Sequence, residues 1–497
     1  MQELLSAHVR CRVIDQANPV IISRNPLSPS SMPQARMHLI ASPIPGGLHD
    51  LECDRTAQVI ESIRVARSAC WIGWERQASD APHESLQPNY CLQNPWAGLG
   101  LSRTELSAVR DIVDCHILTP ILHGRPDLMN YDDEAYRIFL DANHRLACAL
   151  KHFLRDDDII WVHDYLHAPL AESLREVGFP GPLGFTLHAP FPAPEILEVL
   201  PRQAQFLKSL CRFNLLGFQG RNCLQNFEQA AEATLNASLH ATGLTGPHGE
   251  VATGVFPIPI DVAKVRRVAA APIVEHEEAK LRASFPDGNL IGSWGTLDPT
   301  QGIVERLRGF ELFLKARKER LGRDIMIQAI VPQRSWLEES QDVRSEVEIE
   351  FSGINGRFST LDWTPIRYFH GALPSSLLAA LYRVCRVGLI TPFSEGMSLT
   401  AKDFVVMQRP EDPGVLILSQ FARVAEELDG ALIVNPFEIE RVAEALGRAV
   451  EMPLAERQAR WESMNHILEA SSVEAWSSRF IERLADLTGG EWKSSAA

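Results

Sequence analysis

A chain of 497 residues exceeds what one hydrophobic core usually supports, so two domains of roughly 200–250 residues each are expected. Its 45% hydrophobic and 22% charged content is that of an ordinary globular protein, and no apolar run approaches the roughly 18 residues of a membrane helix. A formal net charge of -15 disfavours nucleic-acid or anionic-membrane partners, which need basic patches, but leaves room for a small phosphorylated ligand held by a few cations and backbone amides. Residues 1–16 carry Glu3, His8, Arg10 and Arg12 and no continuous apolar signal core, so a cytoplasmic chain is expected. The nine cysteines are odd in number and contain no CxxC pair, which suggests neither a disulfide framework nor a zinc site. Neither a metal nor a cofactor is expected, and a homo-oligomer is compatible with the sequence.

In chain order, Pro26, Pro29 and Pro33 mark an irregular segment before a strand-like run at 37–41, and residues up to about 110 are hard to read. From about residue 157, short apolar runs alternate with longer amphipathic ones, the pattern of parallel βα units. Strands are predicted at 158–163, 183–187, 214–218 and 255–259, with helices over 168–177 and 221–235. The second half repeats the rhythm with strands at 289–294, 324–331, 366–370, 387–391, 415–419 and 431–435. The fold class is therefore α/β, with two doubly wound, Rossmann-like domains facing each other across a cleft. The boundaries fall at 1–262 for the first domain and 263–470 for the second. A helix at 471–497 would cross back to the first. Ligands of open α/β sheets bind beyond the carboxyl ends of strands, which makes the residues just after each strand the ones to inspect.

Segment 391–403 is the most informative. It leaves a strand, turns at Glu395-Gly396 and opens a helix near Ser398, where free amides make an anion site and Gly396 allows close approach to a phosphate. Glu395 then lies on the loop and Asp403 inside the helix, placed to hold sugar and ribose hydroxyls; the alternative is a capped helix with solvated acids. This segment resembles the TPLRDGMNLVAKE element of the trehalose-6-phosphate synthase family, glycosyltransferase family 20. Trp161-Val162-His163-Asp164-Tyr165 resembles its WVHDYH strand end, and Leu187-His188-Ala189-Pro190-Phe191-Pro192 its LHxPFP turn. Further segments at 215–219, 354–358, 363–365 and 418–421 are similar in the same order, so the likeness covers roughly residues 115–485.

The resemblance implies a GT-B fold and a retaining, metal-independent transfer of glucose from a nucleoside diphosphate sugar, UDP- or GDP-linked, to glucose 6-phosphate. By matched position it implies catalytic parts for His188, Asp164 and Glu395. Gly46, Gly47, Thr296, Gln301, Met397, Ser398, Leu399, Thr400 and Asp403 would line the donor site. Trp74, Asp164 and Arg334 would meet the acceptor, Arg334 through its phosphate. Each has a plainer alternative. Asp164 would cap a helix, Trp74 would be a core ring, Arg334 a solvated loop charge, and Gly46-Gly47 a simple turn. His163 reads as a satisfied core histidine.

The departures are local. The family's R-L-D-Y-x-K-G element, whose cations neutralise the donor diphosphate, is here Thr296-Leu297-Asp298-Pro299-Thr300-Gln301-Gly302. Removing one such donor commonly costs about 2.7–4 kcal/mol, or a factor of roughly 10²–10³ in rate. The family's loop aspartate is Glu395, its asparagine Ser398 and its ribose-binding glutamate Asp403, while the tryptophan expected before Pro120 is Thr119. Three readings follow: a trehalose-6-phosphate synthase-like enzyme, a diverted pseudo-glycosyltransferase with another donor or acceptor, and a non-catalytic sugar-phosphate or nucleotide sensor.

Overall fold

The computed structural model describes residues 36–44, 55–78, 86–89, 96–285, 288–332 and 339–489; Gly46, Gly47 and Arg334 lie outside them. The first half supplies β1 (Met37–Ile40), β2 (Cys70–Trp74), β3 (Gln87–Asn89), β4 (Trp96–Leu99), β5 (Ile159–His163), β6 (Leu183–Thr186), β7 (Leu215–Phe218), β8 (Ser238–His240), β9 (Gly243–Gly246) and β10 (Gly249–Val255). They form one sheet in the order β3-β4-β2-β1-β5-β6-β7-β10-β9-β8. Its centre, from β4 to β10, is parallel, and β3 and the β9-β8 pair add antiparallel edges.

The second half supplies β11 (Leu290–Leu297), β12 (Ile325–Pro332), β13 (Ile366–His370), β14 (Val387–Ile390), β15 (Val415–Ser419) and β16 (Leu432–Val434), all parallel, in the order β13-β12-β11-β14-β15-β16. Strands such as β5 (IIWVH) and β15 (VLILS) are buried along their whole length, because helices cover both faces of a parallel sheet.

The strand order locates two crevices. In the second sheet the chain winds outward from β11 through β12 to β13, then returns to β14 on the other side of β11. In the first it winds outward from β1 through β2 towards β4, then returns to β5 on the other side of β1. At such switch points adjacent connections leave in opposite directions and open a gap at the carboxyl edge.

The helices that matter below are α1 (Arg55–Arg67), α2 (Arg221–Leu235), α3 (Ile303–Ala316), α4 (Leu399–Met407) and α5 (Val473–Thr488). α5 packs on the first sheet. Phe480 stacks on Trp161 at 4.2 Å between ring centroids, and Trp476 Nε1 donates to the Phe256 carbonyl at 3.1 Å. Gly184 leaves room for that packing, since a Cβ there would lie 2.6 Å from the Phe480 ring.

Two expectations change. The strand predicted at 255–259 ends at Val255, because Pro257 and Pro259 cannot donate to a ladder; the strand is instead β10, folded as the last member of an antiparallel β8-β9-β10 meander. The region before residue 110, where little could be read, contributes β1 to β4 and α1.

Candidate active site

At the β11/β14 switch point two loops lie side by side, one after each strand. The Phe393 N–H donates to the Thr300 carbonyl at 2.6 Å and ties them together. In the first loop the buried Asp298 is held entirely by neutral donors. Thr296 Oγ1 reaches one carboxylate oxygen at 2.5 Å, and the Thr300 N–H and Oγ1 reach the other at 2.9 and 2.5 Å. Gln301 is buried, and its carbonyl accepts from Arg306 at 2.7 Å.

Arg306, in the first turn of α3, is 1% exposed. It donates also to Ser293 Oγ at 2.6 Å and Thr391 Oγ1 at 3.1 Å. Among the described residues no carboxylate stands within ion-pair distance of it. Burial pushes its guanidinium down to about 10 against the opposing charges of Glu395, Glu305 and Asp298, which still leaves a cation at neutral pH.

The second loop leads into α4 through Ser398, whose φ of 47° lies in the left-handed region and whose side chain does not cap the helix. Its hydroxyl instead donates to the Glu395 carboxylate, so the first amides of α4 keep no side-chain partner and remain an anion site. Desolvation pushes the Glu395 carboxyl up to about 7 against the pull of that hydrogen bond. Leu399 and Asp403 are buried, and Met397 and Thr400 are half-buried along the same turn. Lys402 is held away from this loop: its Nζ donates to Glu427 at 3.0 Å and to the Ile258 carbonyl at 2.8 Å.

The opposite wall is the β1/β5 switch point. Asp164 follows β5 with a φ of 72°, and its Oδ1 accepts the N–H groups of Tyr165 at 3.1 Å and His188 at 3.4 Å. Burial raises its carboxyl to about 7, with the neighbouring Asp114 adding to the effect. The His188 ring is 2% exposed and faces inward, with His163 Nδ1 at 3.0 Å from its Nε2 and the Gln219 amide at 3.5 Å from its Nδ1. Burial pushes His188 down to about 3 and His163 well below the usual range, so both rings are neutral. The backbone carbonyl of His188 faces Gly396, while its ring is held between His163 and Gln219. His163, expected to be a satisfied core histidine, has an unpartnered buried Nε2. Trp74 is 2% exposed and packs on His167 at 4.3 Å, which favours the core reading of that ring.

The two walls touch. A Cβ at Gly396 would lie 2.2 Å from the His188 carbonyl oxygen and 3.0 Å from the Ala189 carbonyl carbon. The missing side chain at Gly396 lets the two halves meet. Glu426 adds a second contact, its carboxylate accepting the Arg221 N–H at 3.1 Å at the start of α2, a helix with no side-chain cap of its own.

Two parallel doubly wound sheets, each opening a switch-point crevice onto a shared cleft, with an uncapped helix start on one wall and a strand-end carboxylate on the other, define a GT-B glycosyltransferase. The description "Glycosyltransferase family 20" matches residues 50–486, and the chain belongs to that family. It is 36% identical over 427 residues to a trehalose-6-phosphate synthase of Sodalis glossinidius (strain morsitans), covering 86% of this chain and 90% of that one. Among solved structures it is similar to an alpha,alpha-trehalose-phosphate synthase (UDP-forming) from Burkholderia vietnamiensis, with a TM-score of 0.86 at 34% identity over 91% of this chain and 97% of the other. It is similar also to one from Burkholderia xenovorans in complex with glucose-6-phosphate, with a TM-score of 0.82 at 36% identity over 90% and 100%. Among the described residues no helix is long and apolar enough to cross a membrane.

Sequence reasoning missed Asp298 as the anchor of its loop, Arg306 beneath it, and the Asp114–Tyr165 pair beside Asp164. Arg306 lay five residues after Gln301, but only the folded loop brings its guanidinium under the donor side.

Proposed function

We propose that this chain transfers a glucosyl group, with retention, from UDP-glucose to glucose 6-phosphate. The bond from the anomeric carbon to the diphosphate breaks and one to an acceptor hydroxyl forms. The observation that carries this reading is the apposition of the uncapped α4 start and Glu395 with Asp164 and the His188 turn, held by Gly396. The diphosphate would lie at the α4 amides, with Leu399 and Thr400 beside it and Asp403 receiving the ribose. Glu395 and Asp164 would hold sugar hydroxyls, and Arg334 would meet the acceptor phosphate. The proposal calls on no cofactor. The relatives' names support the pair of substrates: one is UDP-forming and another was solved with glucose-6-phosphate.

Thr296 and Gln301 favour a second reading, in which the same site serves a donor whose leaving group needs less charge stabilisation, as in a pseudo-glycosyltransferase. Mass spectrometry of products from UDP-glucose and glucose 6-phosphate separates the two. A disaccharide phosphate is the expected result. No product at high enzyme concentration, while UDP still raises the melting temperature, would move the assignment to the second reading. No stabilisation by UDP, GDP, ADP or TDP would sink both and leave a non-catalytic part.

A further inference from the structure

The segment Ala108–Leu118 is π-helical and passes into the next helix at Thr119, whose N–H donates to the Asp114 carbonyl. On an α-helix, residues five apart point about 140° away from each other. The wider π turn puts them on one face, and such turns are frequent at functional sites. Here it brings Thr119 Oγ1 to 3.1 Å from Asp114 Oδ1, the same oxygen that the Tyr165 hydroxyl reaches at 2.7 Å. Among the described residues both side-chain hydrogen bonds of Asp114 fall on Oδ1, and the residue is half-buried, which leaves Oδ2 for a further donor.

Asp164 lies beside it and is engaged by backbone N–H groups, those of Tyr165, His188 and Ala189. Its Oδ1 holds the Tyr165 and His188 N–H groups. Tyr165 therefore joins the two carboxylates, through its backbone on one side and its hydroxyl on the other. Burial raises both acids, and Asp164 feels the charge of Asp114. Arg110, earlier on the same π-helix, is the cation whose charge falls on Asp114.

We propose that Asp114 is an acceptor-specificity residue: its Oδ2 accepts a hydrogen bond from one hydroxyl of a sugar-phosphate acceptor seated between Asp114 and Asp164. This rests on the transfer reading above. A site built around such a bond rejects an analogue lacking the hydroxyl, since the carboxylate is then left unpaired.

The test is a series of single-deoxy glucose 6-phosphates assayed with UDP-glucose against wild type and Asp114→Asn. Asparagine keeps an oxygen for Tyr165 and Thr119 but puts an amide NH2 where Oδ2 was. One deoxy analogue is expected to lose about 10- to 100-fold in kcat/KM with wild type. With D114N the KM for glucose 6-phosphate rises by a similar factor, the penalty for that analogue disappears, and the KM for UDP-glucose stays within about twofold. An unchanged glucose 6-phosphate KM and an unchanged deoxy profile would overturn the proposal. Where D114N fails to fold, Asp114→Glu, which keeps the charge and shifts the oxygens by a methylene, is scored on the same profile; a wild-type profile again overturns it. Wild type that neither turns over nor binds glucose 6-phosphate by calorimetry overturns the transfer reading, and the role of Asp114 with it.

Discussion

Thr296 and Gln301 lie in a loop whose polar groups are held by neutral partners. Asp298 is held by two threonine hydroxyls and an amide, and the buried Arg306 rests on three neutral oxygens. If charge at this loop limits transfer, Thr296→Arg with Gln301→Lys should raise kcat/KM for UDP-glucose by about 10- to 10³-fold. Steady-state kinetics check this, and a double variant no faster than wild type would show that the loop is not limiting. The two cleft acids make a different prediction. Asp164 and Glu395 titrate near 7 when folded, against ordinary values of 3.8 and 4.5, because burial favours the neutral acid. Their raised values mean that stability is fully present below the unfolded values and is lost as pH rises through about 7. Asp164→Asn and Glu395→Gln should therefore melt several degrees above wild type at pH 8, with the gap closing towards pH 4. Calorimetric scans across that range would refute the account if the gap were constant.

At the scale of elements, α5 is a C-terminal addition to the first sheet that the strand pattern alone does not contain. Phe480 lies flat on Trp161, over the space left by Gly184. Phe480→Ala should cost about 3–5 kcal/mol in urea unfolding through loss of burial and the cavity left behind. A cost below about 1 kcal/mol would mean that α5 merely rests on the sheet. Parallel strands such as 387–391 and 415–419 were legible because each is a continuous apolar run bounded by turns. The β8-β9-β10 meander was not, because β8 is exposed throughout and the short, glycine-containing β9 and β10 carry no apolar period.

Across the whole molecule, the two halves meet where residue 396 has no side chain. Gly396→Ala would drive a Cβ into the backbone of the His188 turn, which cannot yield as a flexible side chain would. The variant is expected to keep UDP-induced stabilisation, which depends on the second half, and to lose about 10²-fold in kcat because the walls no longer align. Equal kcat in variant and wild type would place the catalytic alignment elsewhere. Lys402 and Glu426 reinforce the same junction from α4 and from the segment after β15.

By itself the sequence determined the α/β class, the family and the two strand ends that carry Asp164 and Glu395. Those rest on local patterns: apolar runs, turn residues and ordered motifs. Only the tertiary structure decided that Gly396 meets the His188 turn, that His188 turns its ring inward, and that Arg306 lies under the 296–301 loop and Asp114 beside Tyr165. Each of those depends on contacts between segments far apart in the chain, or on a π-helical turn that no periodicity of 3.6 announces.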